Sequence, residues 1–429
     1  MREQSALIFV ETEHNRNSIA ALAGSLEDVA GELGGRVGIS FVTLEQLRDD
    51  CALLEAMGEA KKVMFAASLG ILYDDAAAFL ADKNSPAFSG REIFHIAGGP
   101  GAINSPQKLL HSGFDAVCAS EGEEVIRDLA RFLDGAKKLR DINGLWVLEG
   151  GEACFTGRRA RVDLSNFRPY SRKWHKFGFI EISRGCANGC VFCQTPRFFR
   201  GGVRERSLRV ILKAVRDFAA AGRDHIRLLA PNALSFGSRI DRQPNLNMLE
   251  RLLSGVRANL PESGLILYGA FPSEIRPDWV TVDAIRLLKK YISNKKIVIG
   301  GQSGSNTLLA KLRRGHTAED TLRAVGVCRE EDFKVIVDLI FGLPYETPSE
   351  FEETRKFMYE LFRRGAVVNA HSFVPLPGTP LEHSPAQKLP AAFKQELSAL
   401  EAGGQVIGSW REQAAYNGQS AKCEVSRRA

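Results

Sequence analysis

Short apolar runs alternate with amphipathic stretches along the first part of the chain. Strands are predicted at the apolar runs, which span residues 7–10, 37–42, 63–67, 93–97 and 116–119. Between them, apolar positions recur at helical spacing, for example in residues 18–32 and 123–133. Because strands that alternate with helices form a parallel sheet covered on both faces, residues 1–136 are predicted to be a doubly wound, Rossmann-like α/β domain.

A second alternation follows a looser segment, residues 137–176, which is predicted to be a linker with a hairpin over residues 145–155. Six further strands are predicted at residues 179–183, 226–230, 265–270, 297–299, 335–340 and 367–373. Helical patterns fill the gaps between them, for example in residues 207–221 and 349–363. The closed TIM form needs eight strand–helix units, so six units over residues 177–380 predict a partial (β/α)6 barrel. Residues 381–429 are predicted to add one helix, residues 391–403, and a polar tail.

Composition excludes several classes of protein. The chain has 429 residues, of which 44% are apolar and 25% charged, as is typical of soluble globular proteins and not of fibrous or disordered ones. No apolar run reaches the roughly 20 residues of a membrane helix, and the first residues lack the apolar core of a signal peptide. We therefore expect a cytoplasmic protein without a membrane partner, in a compartment where clustered cysteines bind metal rather than pair.

Basic residues are concentrated between Arg158 and Arg216, where fifteen Lys or Arg face three Asp or Glu, although the net charge of the whole chain is only +6. Two interpretations stay open for this stretch. It is either solvated surface or an anion-binding region, since a focused positive field raises the local concentration of anions.

Three cysteines in a CxxxCxxC spacing, Cys186, Cys190 and Cys193, follow the first predicted strand of the barrel. Zinc would ordinarily take a fourth protein ligand, and no CxxC or CxxH partner follows. Three thiolates on a four-iron cluster leave one iron open, and thiolates are the usual ligands of such clusters. The motif therefore predicts a [4Fe–4S] cluster with an open iron.

This motif, with Phe192 before the last cysteine, resembles the radical S-adenosylmethionine (SAM) superfamily. Residues 300–305, 311–316, 338–347 and 373–380 are similar to the successive later blocks of radical enzymes related to the methylthiotransferases. The resemblance implies that the open iron binds the amino and carboxylate groups of SAM. It also implies that one electron, from a low-potential donor of ferredoxin or flavodoxin type, cleaves SAM to methionine and a 5′-deoxyadenosyl radical.

Six residues at predicted strand ends are candidates for SAM contacts, since barrels build their sites at the carboxyl ends of their strands. They are Phe192, Ser273, Glu274, Arg276, Gln302 and Ser303. The Phe192 ring would stack on adenine. The residues after the third strand, Ser273 to Arg276, would meet the carboxylate and ribose of SAM. Gln302 and Ser303, after the fourth strand, would hydrogen-bond the sugar. Each also has a structural interpretation: Phe192 is one of 25 phenylalanines, and Arg276 could be an ordinary surface cation.

Residues 95–102, 113–117 and 120–124 of the first domain resemble the cobalamin-binding domain that precedes many radical barrels. The cobalamin candidates are His14, Asn15, Ser68, Leu69, Gly98, Gly99 and Glu121. The two glycines would leave room for a flat corrin in the crevice where doubly wound sheets bind ligands. Where base-off, histidine-on proteins carry DxHxxG, this chain keeps only the histidine, so His14 is either a cobalt ligand or a structural residue.

The two cofactors together imply a cobalamin-dependent radical SAM C-methyltransferase. An unactivated carbon is not a nucleophile, so a radical would first remove its hydrogen, and the carbon radical would then take the methyl group of methylcobalamin. The layout is similar to an archaeal group whose nearest functional relative methylates a glutamine of methyl-coenzyme M reductase, which implies a protein or peptide substrate.

Two other classes stay open. A transfer-RNA methylthiotransferase shares the barrel blocks, but it needs three more cysteines at strand ends of the first domain. Cys51, Cys118 and Cys154 are expected in a helix, inside a strand and in the hairpin. No basic RNA-binding module fits into the last 50 residues, so nucleic acid is not an expected partner. A cobalamin carrier or sensor without catalysis would leave the CxxxCxxC cysteines without a role.

Overall fold

The computed structural model describes residues 4–70, 76–103, 105–240 and 242–417. The chain divides into two compact units, Met1–Ile180 and Glu181–Ala429. Within the described ranges, none of the helices combines the length and the apolar character needed to cross a bilayer.

A seven-stranded sheet forms the first unit, in the order β2-β1-β3-β4-β5-β6-β7. Its strands are β1 (Ser5–Glu11), β2 (Val37–Thr43), β3 (Lys62–Ser68), β4 (Glu92–Gly98), β5 (Ala116–Cys118), β6 (Leu145–Glu149) and β7 (Glu152–Phe155). The first five strands are parallel and the last two antiparallel. All five strands predicted for the doubly wound domain are confirmed.

Helices cover both faces of this sheet. They are α1 (Arg16–Leu33), α2 (Asp50–Met57), α3 (Pro106–His111) and α4 (Gly122–Leu133). Ile8 of β1 shares a buried cluster with Leu53 of α2, whereas its neighbour Phe9 shares the opposite cluster with Leu26 of α1 and Leu129 of α4. Because successive side chains of a strand point to opposite faces, both faces of the sheet are buried, as the doubly wound prediction requires.

The predicted linker is part of the first unit. Its hairpin is present as β6 and β7, with Glu149 opposite Glu152, but β6 also pairs with β5 and so continues the sheet. Leu145 and Val147 of β6 are buried in the cluster that α1 and α4 cover. The physical reason is that β5 would otherwise be an open edge with unpaired backbone groups.

From Ile180 onward, the described residues contain nine strands. They are β8 (Ile180–Glu181), β9 (Ser183–Arg184), β10 (Arg204–Glu205), β11 (His225–Leu229), β12 (Leu265–Leu267), β13 (Lys296–Gln302), β14 (Lys334–Phe341), β15 (Ala366–Ser372) and β16 (Val406–Ile407). They form the sheets β12-β11-β8 and β13-β14-β15-β16 and the pair β10-β9. Between the two larger sheets, the Ile275 and Val298 N–H groups donate to the carbonyls of Val298 and Gly269, each at 2.9 Å. This open barrel contains all six predicted strands.

In the described part of the barrel unit, eight helices accompany these strands, in addition to a helical segment at residues 410–417. They are α5 (Thr195–Phe198), α6 (Leu208–Ala220), α7 (Leu246–Ala258), α8 (Val282–Tyr291), α9 (Asn306–Lys311), α10 (Ala318–Glu330), α11 (Pro348–Arg363) and α12 (Ala391–Ala402). The predicted helices at 207–221, 349–363 and 391–403 correspond to α6, α11 and α12.

The segment after residue 380 adds more than the predicted helix and tail. β16 pairs in parallel with β15, with Val406 opposite Val368, and residues 410–417 are helical. Val406 is fully buried, so this short strand covers the open edge of β15. Residues 418–429 of the predicted polar tail lie outside the described residues.

Candidate active site

The three CxxxCxxC cysteines lie in the loop between β9 and α5. Cys190 is buried, and Cys186 and Cys193 are half-buried. Burial raises the pKa of the Cys193 thiol, with smaller contributions in the same direction from the neighbouring thiols of Cys190 and Cys186. The backbone and side-chain N–H groups of Asn188 both donate to the Cys186 sulfur at 3.4 Å. The loop therefore holds three thiols close enough to influence one another.

The arrangement of these thiols bears on the kind of metal they could bind. Among the described residues, no group of three His, Cys, Asp or Glu side chains is arranged to hold a metal ion. The ligands of one zinc ion converge on a single centre, whereas each thiolate of a four-iron cluster binds a different iron. The sulfurs of a cluster site therefore lie farther apart than those of a single-ion site. A cysteine loop that holds a cluster is not expected to form a single-ion arrangement.

Arg314 connects the cysteine loop to the barrel strands. Its Nη1 donates to the Cys190 sulfur at 3.4 Å, and its Nη2 donates to the Gly300 carbonyl of β13 at 2.7 Å. The centre of its guanidinium group lies 5.8 Å from the centroid of the Phe192 ring. Sequence reasoning did not single out Arg314, because its neighbour Arg313 has the same side chain and only burial separates the two: Arg314 is 8% exposed and Arg313 is exposed.

Phe192 lies beside the cysteine loop, as the motif predicts. Its half-buried ring packs against a cluster that includes Val191, Leu308 and Leu343. One part of the ring therefore contributes to the core while another part stays accessible. Stacking on adenine remains a prediction.

Two of the six SAM candidates are used within the fold. The Ser273 hydroxyl donates to the Leu228 carbonyl and accepts from the Ala230 N–H at 3.0 Å, and Ser273 is completely buried. The hydroxyl of Ser303, also completely buried, is bonded to that of Thr354 at 2.9 Å. These serines tie loops to neighbouring elements, which favours the structural interpretation over direct contact with a sugar or carboxylate.

Arg276 is buried rather than a surface cation. It is 6% exposed, and its Nη2 donates to the Asp278 carboxylate at 3.0 Å and to the Arg314 carbonyl at 2.5 Å. The Nε–H of Arg276, the Nε–H of Arg314 and the side-chain N–H₂ of Asn232 are buried without a hydrogen-bond partner among the described residues. Because unsatisfied buried donors are unfavourable, this group of donors is suited to an anionic ligand such as a carboxylate.

Gln302 occupies an irregular point at the end of β13. It has a positive φ of 74° and lies where the pairing with β14 shifts register. A side chain at Gly300 would come within 2.9 Å of the Gln302 amide nitrogen, so the glycine makes room for this amide. Gln302 is therefore buried at a point where β13 departs from regular strand geometry. A hydrogen bond from its amide to the sugar of SAM stays a prediction.

Glu274 forms a carboxyl pair with Asp338 of β14, a residue that sequence reasoning placed only within a motif block. Burial, the charge of Asp338 and a hydrogen bond to it raise the pKa of Glu274 well above its usual range, and Arg314 opposes this shift. Asp338 also accepts from the Asn369 amide at 2.7 Å. The pair therefore retains a proton under conditions where isolated carboxyls are ionised.

This pair makes the stability of the second unit depend on pH. The folded chain keeps a proton on Glu274 after the unfolded chain has lost it, so stability falls as pH rises above the usual carboxyl pKa near 4.5. Glu274→Gln cannot ionise, and we expect its stability relative to wild type to increase by about 1 kcal/mol or more between pH 5.5 and 8.5. Urea unfolding at both pH values measures this difference. Exposed Glu353→Gln is the control, and equal pH dependence in both variants would contradict the assignment.

All seven cobalamin candidates lie at the carboxyl ends of parallel strands of the first unit. His14 and Asn15 follow β1, Ser68 and Leu69 end and follow β3, Gly98 and Gly99 end and follow β4, and Glu121 follows β5. The order β2-β1-β3 makes the junction of β1 and β3 the topological switch point, where doubly wound sheets bind ligands. The fold therefore brings these residues to the edge where a ligand is expected.

Asn15 holds that edge together. Its amide oxygen accepts from the Thr12 N–H at 2.8 Å, and its amide nitrogen donates to the carbonyls of Val10 at 2.9 Å and Ser68 at 3.3 Å. Asn15 is 4% exposed, so it acts as a cross-link between the ends of β1 and β3. The adjacent His14 is exposed, and its ring has no hydrogen-bond partner in the described part of the chain. A ring without an acceptor agrees with the missing aspartate of the DxHxxG pattern.

Leu69 and Glu121 hold neighbouring loops. The Leu69 N–H donates to the Gly98 carbonyl at 2.8 Å, and its carbonyl accepts from Gly101 at 3.1 Å. Glu121 accepts from the Val162 N–H at 3.0 Å. Direct contact of either residue with cobalamin remains a prediction.

The prediction that Gly98 and Gly99 both leave open space is wrong for Gly99. A side chain at Gly99, whose φ is +87°, would lie 2.7 Å from the Leu69 carbonyl and 2.8 Å from the Ser68 hydroxyl. The space beside Gly99 is therefore filled by the loop after β3. A side chain at Gly98 would make only ordinary contact, at 3.5 Å, with Cys118.

The basic stretch is partly neutralised within the first unit. Arg168 pairs with Glu27 at 3.0 Å, Lys176 pairs with Glu11 at 2.7 Å, and Arg159 pairs with Glu124 at 2.9 Å. Side chains held in such pairs favour the structural interpretation for this part of the stretch.

Sequence comparisons extend over the barrel and beyond. Residues 180–358 match the model of the Radical SAM superfamily. An uncharacterized protein of Methanopyrus kandleri is 25% identical over 337 residues, which are 67% of this chain and 61% of the relative. A tRNA-2-methylthio-N(6)-dimethylallyladenosine synthase of Trichlorobacter lovleyi is 29% identical over 258 residues, 58% of this chain and 56% of the relative. The chain thus spans less than two thirds of the length of these relatives.

Structural comparisons cover both units. The radical SAM methyltransferase TsrM of Kitasatospora setae, solved with cobalamin and a [4Fe–4S] cluster, has a TM-score of 0.69 and 19% identity, over 88% of this chain and 77% of that one. The cobalamin-dependent radical enzyme OxsB, solved with aqua-cobalamin and SAM, has a TM-score of 0.65 and 18% identity, over 83% and 52%. The chain shares the fold of these two enzymes. Residues 180–358, which match the Radical SAM superfamily model, lie within the chain that shares this fold.

Proposed function

We propose that this protein is a cobalamin-dependent radical SAM C-methyltransferase. The observation that carries the proposal is the extent of the fold match, because 88% of this chain aligns with a structure that contains both cobalamin and a [4Fe–4S] cluster. A carrier or sensor of cobalamin would not need the second unit with its cysteine loop.

The residues present fit these cofactors. Cys186, Cys190 and Cys193 would hold the cluster, and the unpartnered N–H donors of Arg276, Arg314 and Asn232 would receive the carboxylate of SAM. The carboxyl edge of the first sheet would hold cobalamin. When bound, the cluster supplies an electron for SAM cleavage and cobalamin supplies the methyl group. The chain itself orients the substrates and excludes water around them.

The by-products of SAM test this function. We expect two SAM molecules to be used per methylated product, one yielding S-adenosylhomocysteine and one yielding 5′-deoxyadenosine plus methionine. The measurement is chromatography of an anaerobic reaction with reconstituted protein, cobalamin, labelled SAM and a one-electron reductant. A matched incubation without cobalamin should lose S-adenosylhomocysteine and retain 5′-deoxyadenosine. A reaction that makes product without S-adenosylhomocysteine would rule the proposal out.

We further infer a protein or peptide substrate and an electron donor of ferredoxin or flavodoxin type. The similarity of layout favours a glutamine side chain, such as that of methyl-coenzyme M reductase, as the methyl acceptor. Mass spectrometry of glutamine-containing peptides incubated with labelled SAM tests this, with peptides carrying glutamate at the same position as controls. Label in control peptides, or in neither set, would contradict the glutamine assignment.

A methylthiotransferase is the second candidate, because the relative from Trichlorobacter lovleyi bears that activity in its name. Such an enzyme would need a second cluster. Cys51, Cys118 and Cys154 lie on α2, β5 and β7, three separate elements of the first unit. Iron analysis distinguishes the candidates, since one cluster contains about four irons per chain and two contain about eight.

A further inference from the structure

We infer that Arg314 raises the reduction potential of the cluster by holding a fixed positive charge and a hydrogen bond on the Cys190 sulfur. The inference rests on the proposed function, because it requires a cluster at these cysteines. It concerns a positioning residue that acts on the cluster through one of its ligands.

The guanidinium group of Arg314 is held in place from several sides. Its Nη2 donates to the Gly300 carbonyl at 2.7 Å while its Nη1 reaches the Cys190 sulfur at 3.4 Å. The backbone of Arg314 is anchored as well. Its N–H donates to the Leu309 carbonyl at 3.0 Å, and its carbonyl accepts from the Arg276 guanidinium group at 2.5 Å. A side chain held at both ends cannot easily turn away from the sulfur.

No carboxylate lies within ion-pair distance of Arg314 in the part of the chain that the structure describes. Within the described residues it forms no ion pair, although it is only 8% exposed. The buried carboxyl of Glu274 is affected by the charge of Arg314, but burial and the pairing with Asp338 raise its pKa. A buried arginine without a counter-charge is strongly unfavourable, so a negative group must complete the site. A thiolate-ligated cluster at Cys190 is such a group.

The direction in which Arg314 shifts the reduction potential follows from its charge. Reduction adds one negative charge to a cluster, and a fixed cation stabilises the reduced state more than the oxidised state. Arginine stays protonated at all accessible pH values, and hydrogen bonds to ligand sulfurs and net charge are recognised determinants of cluster potential. Removing the guanidinium group should therefore make the cluster harder to reduce.

The test is a redox titration followed by electron paramagnetic resonance, on anaerobically reconstituted full-length protein without SAM. In Arg314→Gln we expect the ratio of reduced to oxidised cluster at a fixed potential to fall about tenfold, which is 59 mV for a one-electron couple. Arg313→Gln, an identical substitution at the exposed neighbour, should titrate like wild type. Arg314→Lys should show a smaller fall, because an ammonium group keeps the charge but cannot span both acceptors.

The outcomes separate this inference from the proposed function. Wild-type protein without iron would contradict the proposed function, whereas a wild-type cluster whose potential is unchanged in both Arg314 variants would overturn only the role of Arg314. If neither variant assembles a cluster, wild-type protein labelled with ¹⁵N-arginine decides the matter by pulsed resonance. A hyperfine coupling from a guanidinium nitrogen to the cluster supports the inference, and its absence overturns it.

Discussion

Serine at any one of Cys186, Cys190 and Cys193 is expected to remove the iron of the protein and to abolish SAM cleavage. Each thiolate binds a different iron, so the loss of one ligand exposes a further corner of the cluster and destabilises the whole. We expect iron to fall from about four per chain to near zero. Formation of 5′-deoxyadenosine should fall to the level of a protein-free control. Iron analysis and chromatography after anaerobic reconstitution measure the two effects.

The chain offers matched controls for this experiment. Cys51 is exposed on α2 and Cys154 is half-buried in β7, so serine at either position removes a thiol without touching the cysteine loop. Both controls should retain wild-type iron and SAM cleavage. Iron that persists in all three loop variants would remove the basis of the cluster assignment. Iron lost equally in the controls would point to a second metal site in the first unit.

Alanine at Gly99 is expected to destabilise the first unit and to abolish cobalamin binding. The added carbon would lie 2.7 Å from the Leu69 carbonyl, and the φ of +87° is unfavourable for any side chain. The left-handed conformation costs about 1–2 kcal/mol and overpacking about 1–3 kcal/mol, so we expect the free energy of unfolding to fall by about 2–5 kcal/mol. Urea unfolding and titration with aqua-cobalamin measure the two effects.

Gly35→Ala separates backbone strain from close approach. Gly35 has a φ of +75°, but a side chain there would meet nothing within 4 Å. This control should lose only the backbone contribution of about 1–2 kcal/mol and should keep cobalamin binding. If Gly99→Ala unfolds no more easily than Gly35→Ala, the loop after β3 does not depend on this close approach. Full cobalamin affinity in a destabilised Gly99→Ala would show that cobalamin binding does not depend on the loop after β3.

The order of elements was accessible from sequence because it depends on local patterning. A buried parallel strand needs a continuous apolar run, and a covering helix needs apolar positions at a spacing of about 3.6 residues. The runs at 7–10 and 63–67 therefore predicted β1 and β3 correctly. The sequence did not predict that part of the linker continues the sheet. The pairing of β6 with β5 depends on an open sheet edge that is far away in sequence.

The candidate site also has a part that local sequence predicts and a part that depends on distant contacts. The spacing of Cys186, Cys190 and Cys193 is a local property, so one short motif identified it. The roles of other polar residues depend on contacts between distant segments. Ser273 was predicted to face a ligand, but its hydroxyl is used by Leu228 and Ala230, which lie more than forty positions away.

The amino-acid sequence by itself determined the two α/β units, their strand ends and the three cysteines, because each follows from residues that are neighbours along the chain. Only the tertiary structure decided which polar groups are satisfied and which await a ligand. Arg313 and Arg314 are alike in sequence, and packing alone buries one of them against Cys190 while the other faces solvent. Burial and partnership arise from elements that are distant in sequence, and these interactions determine charge and reactivity.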